Sequence, residues 1–261
     1  MGDAPDPPPR ATERSKSGQP IYRHAERERE FEHAHGDPTL IRAVGEHVER
    51  HLGRTEWVLH EITSDLVHVD VHVVPPGPQR EFYTLVTSGM SERPMTRPDD
   101  VEGCEFAELV ACLPPEWPGL IGTDRGRPTS DPDHPWRNER NYWPIRWLKF
   151  LARFPHAQDT WLWYGHTIPN GDPPAPFAAD TKLCCIMLAP NPLLPEAFQT
   201  LRVGDRDVAF WSLLPLYQGE MQYKLDRGAE ALLDLFDRNR IYPIIDPHRP
   251  AAVQRRWWKF W

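Results

Sequence analysis

Residues 66–74, LVHVDVHVV, alternate apolar and polar side chains. A period of two puts Val67, Val69, Val71 and Val73 on one face of a strand and His68, Asp70 and His72 on the other. Pro75-Pro76-Gly77-Pro78 ends the strand, because proline has no N–H to give a ladder. The next stretch, FYTLVTSGMSERPM (82–95), opens as a second strand over residues 82–86 and returns beside the first as a hairpin or meander partner. It then changes character: Thr87-Ser88-Gly89 offers hydroxyls and a hinge, and Met90 and Met95 follow.

Outward from this pair, DPTLIRAVGEHVERHLG (37–53) reads as a helix. Asp37 is its N-cap, Pro38 its first turn, Leu40, Ile41, Val44, Val48 and Leu52 its apolar stripe, and Gly53 its stop. TEWVLHEI (55–62) and CEFAELVACLP (104–114) read as strands. Residues 115–141, rich in Pro, Gly, Asp and Arg, read as a loop whose tip varies most. YWPIRWLKFLARFP (142–155) is a second helix with Ile145, Leu148, Leu151 and Ala152 inward. Strands at 181–189 and 207–214 precede a helical region, QGEMQYKLDRGAEALLDLFDRN (218–239), bent or broken at Gly228. The order is roughly ααββββαββα. The expected fold is α+β: a single domain with a mainly antiparallel or mixed β-sheet flanked by α-helices. The expected division is a disordered, proline-rich tail over 1–19, the domain over 20–250, and an aromatic and basic tail over 251–261.

The composition, 39% hydrophobic with 11% aromatic, supplies a packed core, and thirty prolines in 261 residues imply long ordered loops between short elements. A net charge of -8 argues against a general grip on nucleic acid, which needs clustered cations. No apolar run is long enough to span a membrane, and the first twenty residues lack the apolar core of a secretory signal, so a cytoplasmic location is expected. Cys104, Cys112, Cys184 and Cys185 sit in apolar runs without zinc spacing and are expected as buried, reduced thiols. The terminal QRRWWKFW (254–261) combines three cations with four aromatics and is expected to pack on the domain or on a neighbouring chain.

The sequence offers little chemistry of reaction. His68, Asp70 and His72 share a strand face and could converge on zinc or iron, although side chains two apart stand about 7 Å from each other and no second ligand set is visible. His47 and His51, in HVERH, lack the glutamate position of a zinc-protease helix, and Glu46, Glu49 and Arg50 make that face look solvated. HEITS (60–64) lacks the second histidine of the same motif. There is no glycine-rich phosphate loop, Ser88 has no nucleophile-elbow frame, and nothing marks carboxylates such as Glu105 and Glu108 as an acid–base pair. No catalytic residue, metal or cofactor is assigned, and a binding protein is expected rather than an enzyme.

Seven blocks carry a resemblance: HVDVHVVPP (68–76), FYTLVTSGMSERPM (82–95), AELVACLP (107–114), WPIRWLKFLARFP (143–155), YGHTI (164–168), LPLYQGEM (214–221) and IDPH (245–248). In this order and spacing they resemble the Suppressor of fused domain across about residues 21 to 249. The resemblance implies a single α+β domain like the amino-terminal half of the animal Hedgehog-pathway repressor, which sequesters a transcription factor. Stand-alone bacterial-type members are considered immunity proteins that neutralise polymorphic toxins. With one such domain in the sequence, the expectation is a non-catalytic protein-binding domain whose partner is a toxin, a basic one on charge grounds. The alternatives are an intracellular regulator that sequesters an extended segment of a partner, and a metal-dependent enzyme using His68, Asp70 and His72.

Through that resemblance Thr87, Ser88, Met90 and Met95, with Tyr217 and Glu220 of LPLYQGEM, become candidate partner-binding residues. A structural reading stands beside it. Thr87 and Ser88 can satisfy local backbone groups, the methionines can fill the core, and Glu220 suits a helix N-terminus whatever binds.

Overall fold

The structure is a computed structural model, which describes residues 11, 13–24, 30–61, 64–121 and 131–253. A short hairpin, β1 (Glu13–Arg14) with β2 (Pro20–Ile21), comes first. Helix α1 (Pro38–Leu52) follows, then strands β3 (Trp57–Leu59), β4 (Asp70–Val74), β5 (Tyr83–Ser88) and β6 (Phe106–Leu113). Helix α2 (Glu139–Gln158) leads to β7 (Thr167–Pro169), β8 (Leu183–Ala189), β9 (Thr200–Val203) and β10 (Arg206–Tyr217), and helices α3 (Gln218–Arg227) and α4 (Ala229–Arg238) close the order. This is the single α+β domain expected, with one helix rather than two ahead of the sheet.

The main sheet runs β3-β4-β5-β6-β10-β8-β7, with β9 paired to the first part of β10. Every pairing is antiparallel except β6 with β10, where Val208 lies opposite Phe106. Alternation then sorts the core into layers. Val67, Val69, Val71, Val73, Leu85, Leu109, Ala111 and Leu213 face α2, which buries Trp143, Ile145, Leu148, Leu151 and Ala152 against them. The opposite face meets Leu40, Val44, Val48 and Leu52 of α1 through Val86, Val110, Val208 and Phe210. It continues to Leu232 and Phe236 of α4 through Leu214 and Leu216.

Local chemistry explains the elements. Asp37 caps α1 by accepting from the N–H groups of Thr39 (2.9 Å) and Leu40 (3.2 Å). The final helical region breaks at Gly228, whose φ of 93° is left-handed backbone that favours glycine. Helix α2 outruns its predicted span at both ends: Asn138 caps it, and it runs through Pro144 and Pro155, which both lie inside the helix, to Gln158. The sequence reading missed β7 and β9, of three and four residues, which are too short to show a period.

Three expectations need correction. Residues 13–19 of the expected tail belong to the β1–β2 hairpin, held to α3 by Ser17 N–H donating to Leu225 O (3.0 Å). His47 is not on a solvated face: it is 3% exposed, its Nε2 lies 3.0 Å from Phe198 O, and it stacks between Phe198 and Phe210. Burial pushes its pKa down. The base of the 115–141 loop is core, with Trp117 and Trp136 donating to Asn141 O and Pro118 O (both 2.9 Å). The tip of that loop, 122–130, and the aromatic segment 254–261 lie outside the described residues. All four cysteines are buried and free.

The tightest passage of backbone is at Gly89, where φ is +123° and a Cβ would stand 1.8 Å from the carbonyl oxygen of His68. Gly89→Ala is expected to lower stability by more than about 2 kcal/mol, since strain and a backbone clash combine. Chemical denaturation checks this, and an alanine variant with an unchanged midpoint would contradict the packing described.

Candidate functional site

The six candidate residues do not form one patch. They cluster around two buried carboxylates, Glu108 on β6 and Glu220 at the start of α3, and of these two only Glu220 is a candidate from the sequence.

The first is Glu108. It is the charged residue of an otherwise apolar strand, FAELVACL, and is 0% exposed. A carboxylate there must be hydrogen-bonded to remain tolerable. The turn after β5 supplies the donors. Thr87 Oγ1 donates to Glu108 Oε2 (2.6 Å) and accepts from Leu109 N–H (2.8 Å). Gly89 N–H (2.9 Å), Ser91 N–H (3.0 Å) and the Ser91 hydroxyl (2.6 Å) all donate to Glu108 Oε1. Burial pushes the carboxyl pKa up, while these bonds draw it back down. Ser88 points to the other face, with its Oγ 3.0 Å from His72 Nε2. Met90 and Met95 are 0% and 3% exposed, and both lie in the core under α2. The turn that looked like a binding lip therefore wraps an internal carboxyl group, and its methionines fill the interior.

The second is Glu220, in the first turn of α3 and 0% exposed. Arg249 meets it in a fork, Nη1 to Oε1 (2.8 Å) and Nη2 to Oε2 (2.6 Å), and Nη2 also donates to Pro215 O (2.8 Å). Tyr217 N–H (2.9 Å) and Ala252 N–H (2.8 Å) complete the carboxylate. The guanidinium lies over Tyr217 (5.0 Å) and Phe236 (5.2 Å), and the Tyr217 hydroxyl donates to Arg249 O. LPLYQGEM and IDPHRP, far apart in sequence, are two halves of one clamp.

The metal reading of His68, Asp70 and His72 is corrected by their directions. His72 turns to Ser88, whereas Asp70 holds His68 Nε2 (3.0 Å) on one oxygen and His60 Nδ1 (2.9 Å) on the other. Among the described residues no three His, Cys, Asp or Glu side chains are placed to hold a metal ion. Ser64 Oγ lies 2.7 Å from His68 Nδ1, so Ser64, His68 and Asp70 are linked in the order of a nucleophile, base and orienting acid. Ser64 is nevertheless 2% exposed, and its hydroxyl also donates to Glu61 Oε2 (3.0 Å), which pairs with Arg153 of α2. A hydroxyl sealed from solvent and shared in this way ties the loop before β4 to α2.

The sequence reading weighed Glu108 as half of an acid–base pair and HEITS, with His60, Glu61 and Ser64, as a zinc motif, set both aside, and passed over Arg249. One signal could have found Glu108: a lone carboxylate inside an apolar strand needs donors, and TSGMS nearby supplies them. Arg249 carried no such mark, because its partner lies 29 positions away.

Removing one partner of the clamp leaves an uncompensated buried charge. Glu220→Ala and Arg249→Ala are each expected to cost about 3–5 kcal/mol. The double variant should cost well under the sum. Denaturation midpoints of the three variants check this, and strictly additive losses would mean that the two side chains do not act as a pair.

Comparison with known proteins places this architecture. No curated protein matches the chain in sequence. The fold matches solved structures at low identity. One is a crystal structure of a Suppressor of fused homologue from Neisseria gonorrhoeae, 17% identical with a TM-score of 0.57, covering 83% of this chain and 98% of that one. A Sufu–Fu complex is matched at 16% identity and a TM-score of 0.57, over 82% of this chain and 93% of that one. Drosophila Suppressor of Fused is matched at 14% and 0.53, over 81% of this chain and 50% of its own length. The family described as Suppressor of fused protein (SUFU) matches residues 65–250, a span that runs from the start of the β4 region to the Glu220–Arg249 clamp. The chain belongs to the Suppressor of fused protein family.

Proposed function

We propose that this chain is a non-catalytic, cytoplasmic protein-binding domain, and specifically an immunity protein that binds and neutralises a cognate toxin. The observation that carries the reading is how the polar groups are used. Glu108, the Ser64–His68–Asp70 chain and the Glu220–Arg249 pair are closed within the domain and hold loops in place. They build a rigid surface rather than a reaction centre. Membership of a family that includes the protein in a Sufu–Fu complex supports a protein partner.

In this reading Thr87, Ser88, Met90, Met95, Tyr217 and Glu220 serve binding from beneath the surface, by fixing the shape of the turns above them. A second reading, sequestration of an extended partner segment, is favoured by β3. This three-residue strand ends the sheet, and its Trp57, Val58 and Leu59 are all half-buried.

The net charge of -8 suits a cationic partner, and complementary charge mainly speeds encounter. The test is binding to the polypeptide encoded directly upstream. A complex is expected whose association slows as salt rises to about 0.5 M while dissociation changes little. Absence of a complex contradicts the immunity reading, and a complex with salt-independent association removes the charge steering alone.

A further inference from the structure

Ahead of α1 the chain runs extended through residues 30–36 beside residues 64–66. Ala34 N–H donates to Ser64 O (3.1 Å), Leu66 N–H to Glu32 O (2.9 Å) and Glu32 N–H to Asp65 Oδ1 (2.9 Å), and His33 bridges Asp65 in antiparallel register. Successive side chains of an extended segment point in opposite directions. Ala34 accordingly turns inward and is 7% exposed, while Phe31, His33 and His35 stand outward on the other side. The His33 and His35 rings are 4.5 Å apart between centroids, with 32° between their planes, and Phe31 lies 6.1 Å from His33.

We propose that His33 and His35 form a two-imidazole site for a divalent first-row metal ion of the zinc class. Imidazole nitrogen suits such ions, at about 2.0–2.1 Å from zinc. Two nitrogens on one tetrahedral ion then stand about 3.3 Å apart, a separation that rings 4.5 Å apart reach by turning about their side-chain bonds. The backbone pairing with residues 64–66 fixes both Cα positions beforehand, which reduces the ordering cost of chelation. Phe31 completes the row but cannot ligate, so among the described residues two side chains serve as ligands, and the other positions are open to water or a further donor. The His60–Asp70–His68 group is a separate cluster, in which both ring nitrogens of His68 and Nδ1 of His60 are already bonded to Asp70 or Ser64.

Isothermal titration of the full chain with zinc chloride tests this. One zinc ion per chain is expected. His33→Ala and His35→Ala should each weaken binding at least about tenfold, or ~1.4 kcal/mol. Without metal both variants should melt with the parent, because both rings lie at the surface. The proposal is overturned if the parent binds no zinc, or if the double variant binds zinc as tightly as the parent.

Discussion

The fold depends on a carboxyl group inside its sheet. Glu108 carries a carboxylate into the middle of the sheet, on β6 between its antiparallel neighbour β5 and its parallel neighbour β10, where transfer of a charge from water costs several kcal/mol before any partner is counted. Four donors from Thr87, Gly89 and Ser91 answer that cost, each bond to a charged group being worth about 1.5–3 kcal/mol. The requirement propagates. To deliver two backbone N–H groups to one oxygen, the chain after β5 must fold back at once, and only glycine passes His68 O at that corner. The fold-back in turn drives Met90 into the core and leads the chain to Met95, whose N–H donates to Glu105 O (2.8 Å) ahead of β6.

The other half of the sheet has a different problem. Strand β10 pairs with β6 in parallel from Val208 to Ser212 and then with β8 from Ser212 to Tyr217, so the two central strands separate beyond Ser212. A late segment enters alongside β6, with Ile245 N–H donating to Cys112 O (2.8 Å) and Ile244 bridging Cys112 in parallel register. Asn191 supports the same place by donating to Ser212 Oγ (3.1 Å). Four residues after Ile245, Arg249 locks onto Glu220, so the clamp at the start of α3 also holds the inserted segment. Two internal carboxylates thus secure the two regions where the ladder alone would leave the chain loose.

Much of this architecture was legible in the sequence, for physical reasons. The inward valines of LVHVDVHVV and the capped stripe of 37–53 are local patterns that survive in the fold, although the strand itself begins only at Asp70 and Leu66 is left-handed with a φ of 67°. Strands of three and four residues carry no period, and His47 read as solvated because its neighbours are charged, although its ring fits between two phenylalanines. Of the candidate binding residues, Thr87, Ser88, Met90, Met95 and Glu220 are buried and Tyr217 is half-buried, as the structural reading of those blocks has it. Hydroxyls, glycine and methionines in a row describe a turn equally well whether it faces a partner or a buried carboxylate, and the deciding residue, Glu108, lies 17 to 21 positions away.

The central claim is that the Glu108 carboxylate organises the 87–91 turn, and Glu108→Gln tests it with almost no change in volume. The measurement is amide hydrogen exchange at Gly89 and Ser91, read together with the denaturation midpoint. A loss of at least about 3 kcal/mol, with both amides losing protection, is expected from replacing an acceptor-only group by one that turns a donor toward donors. A glutamine variant of unchanged stability, with both amides as protected as before, would contradict the account.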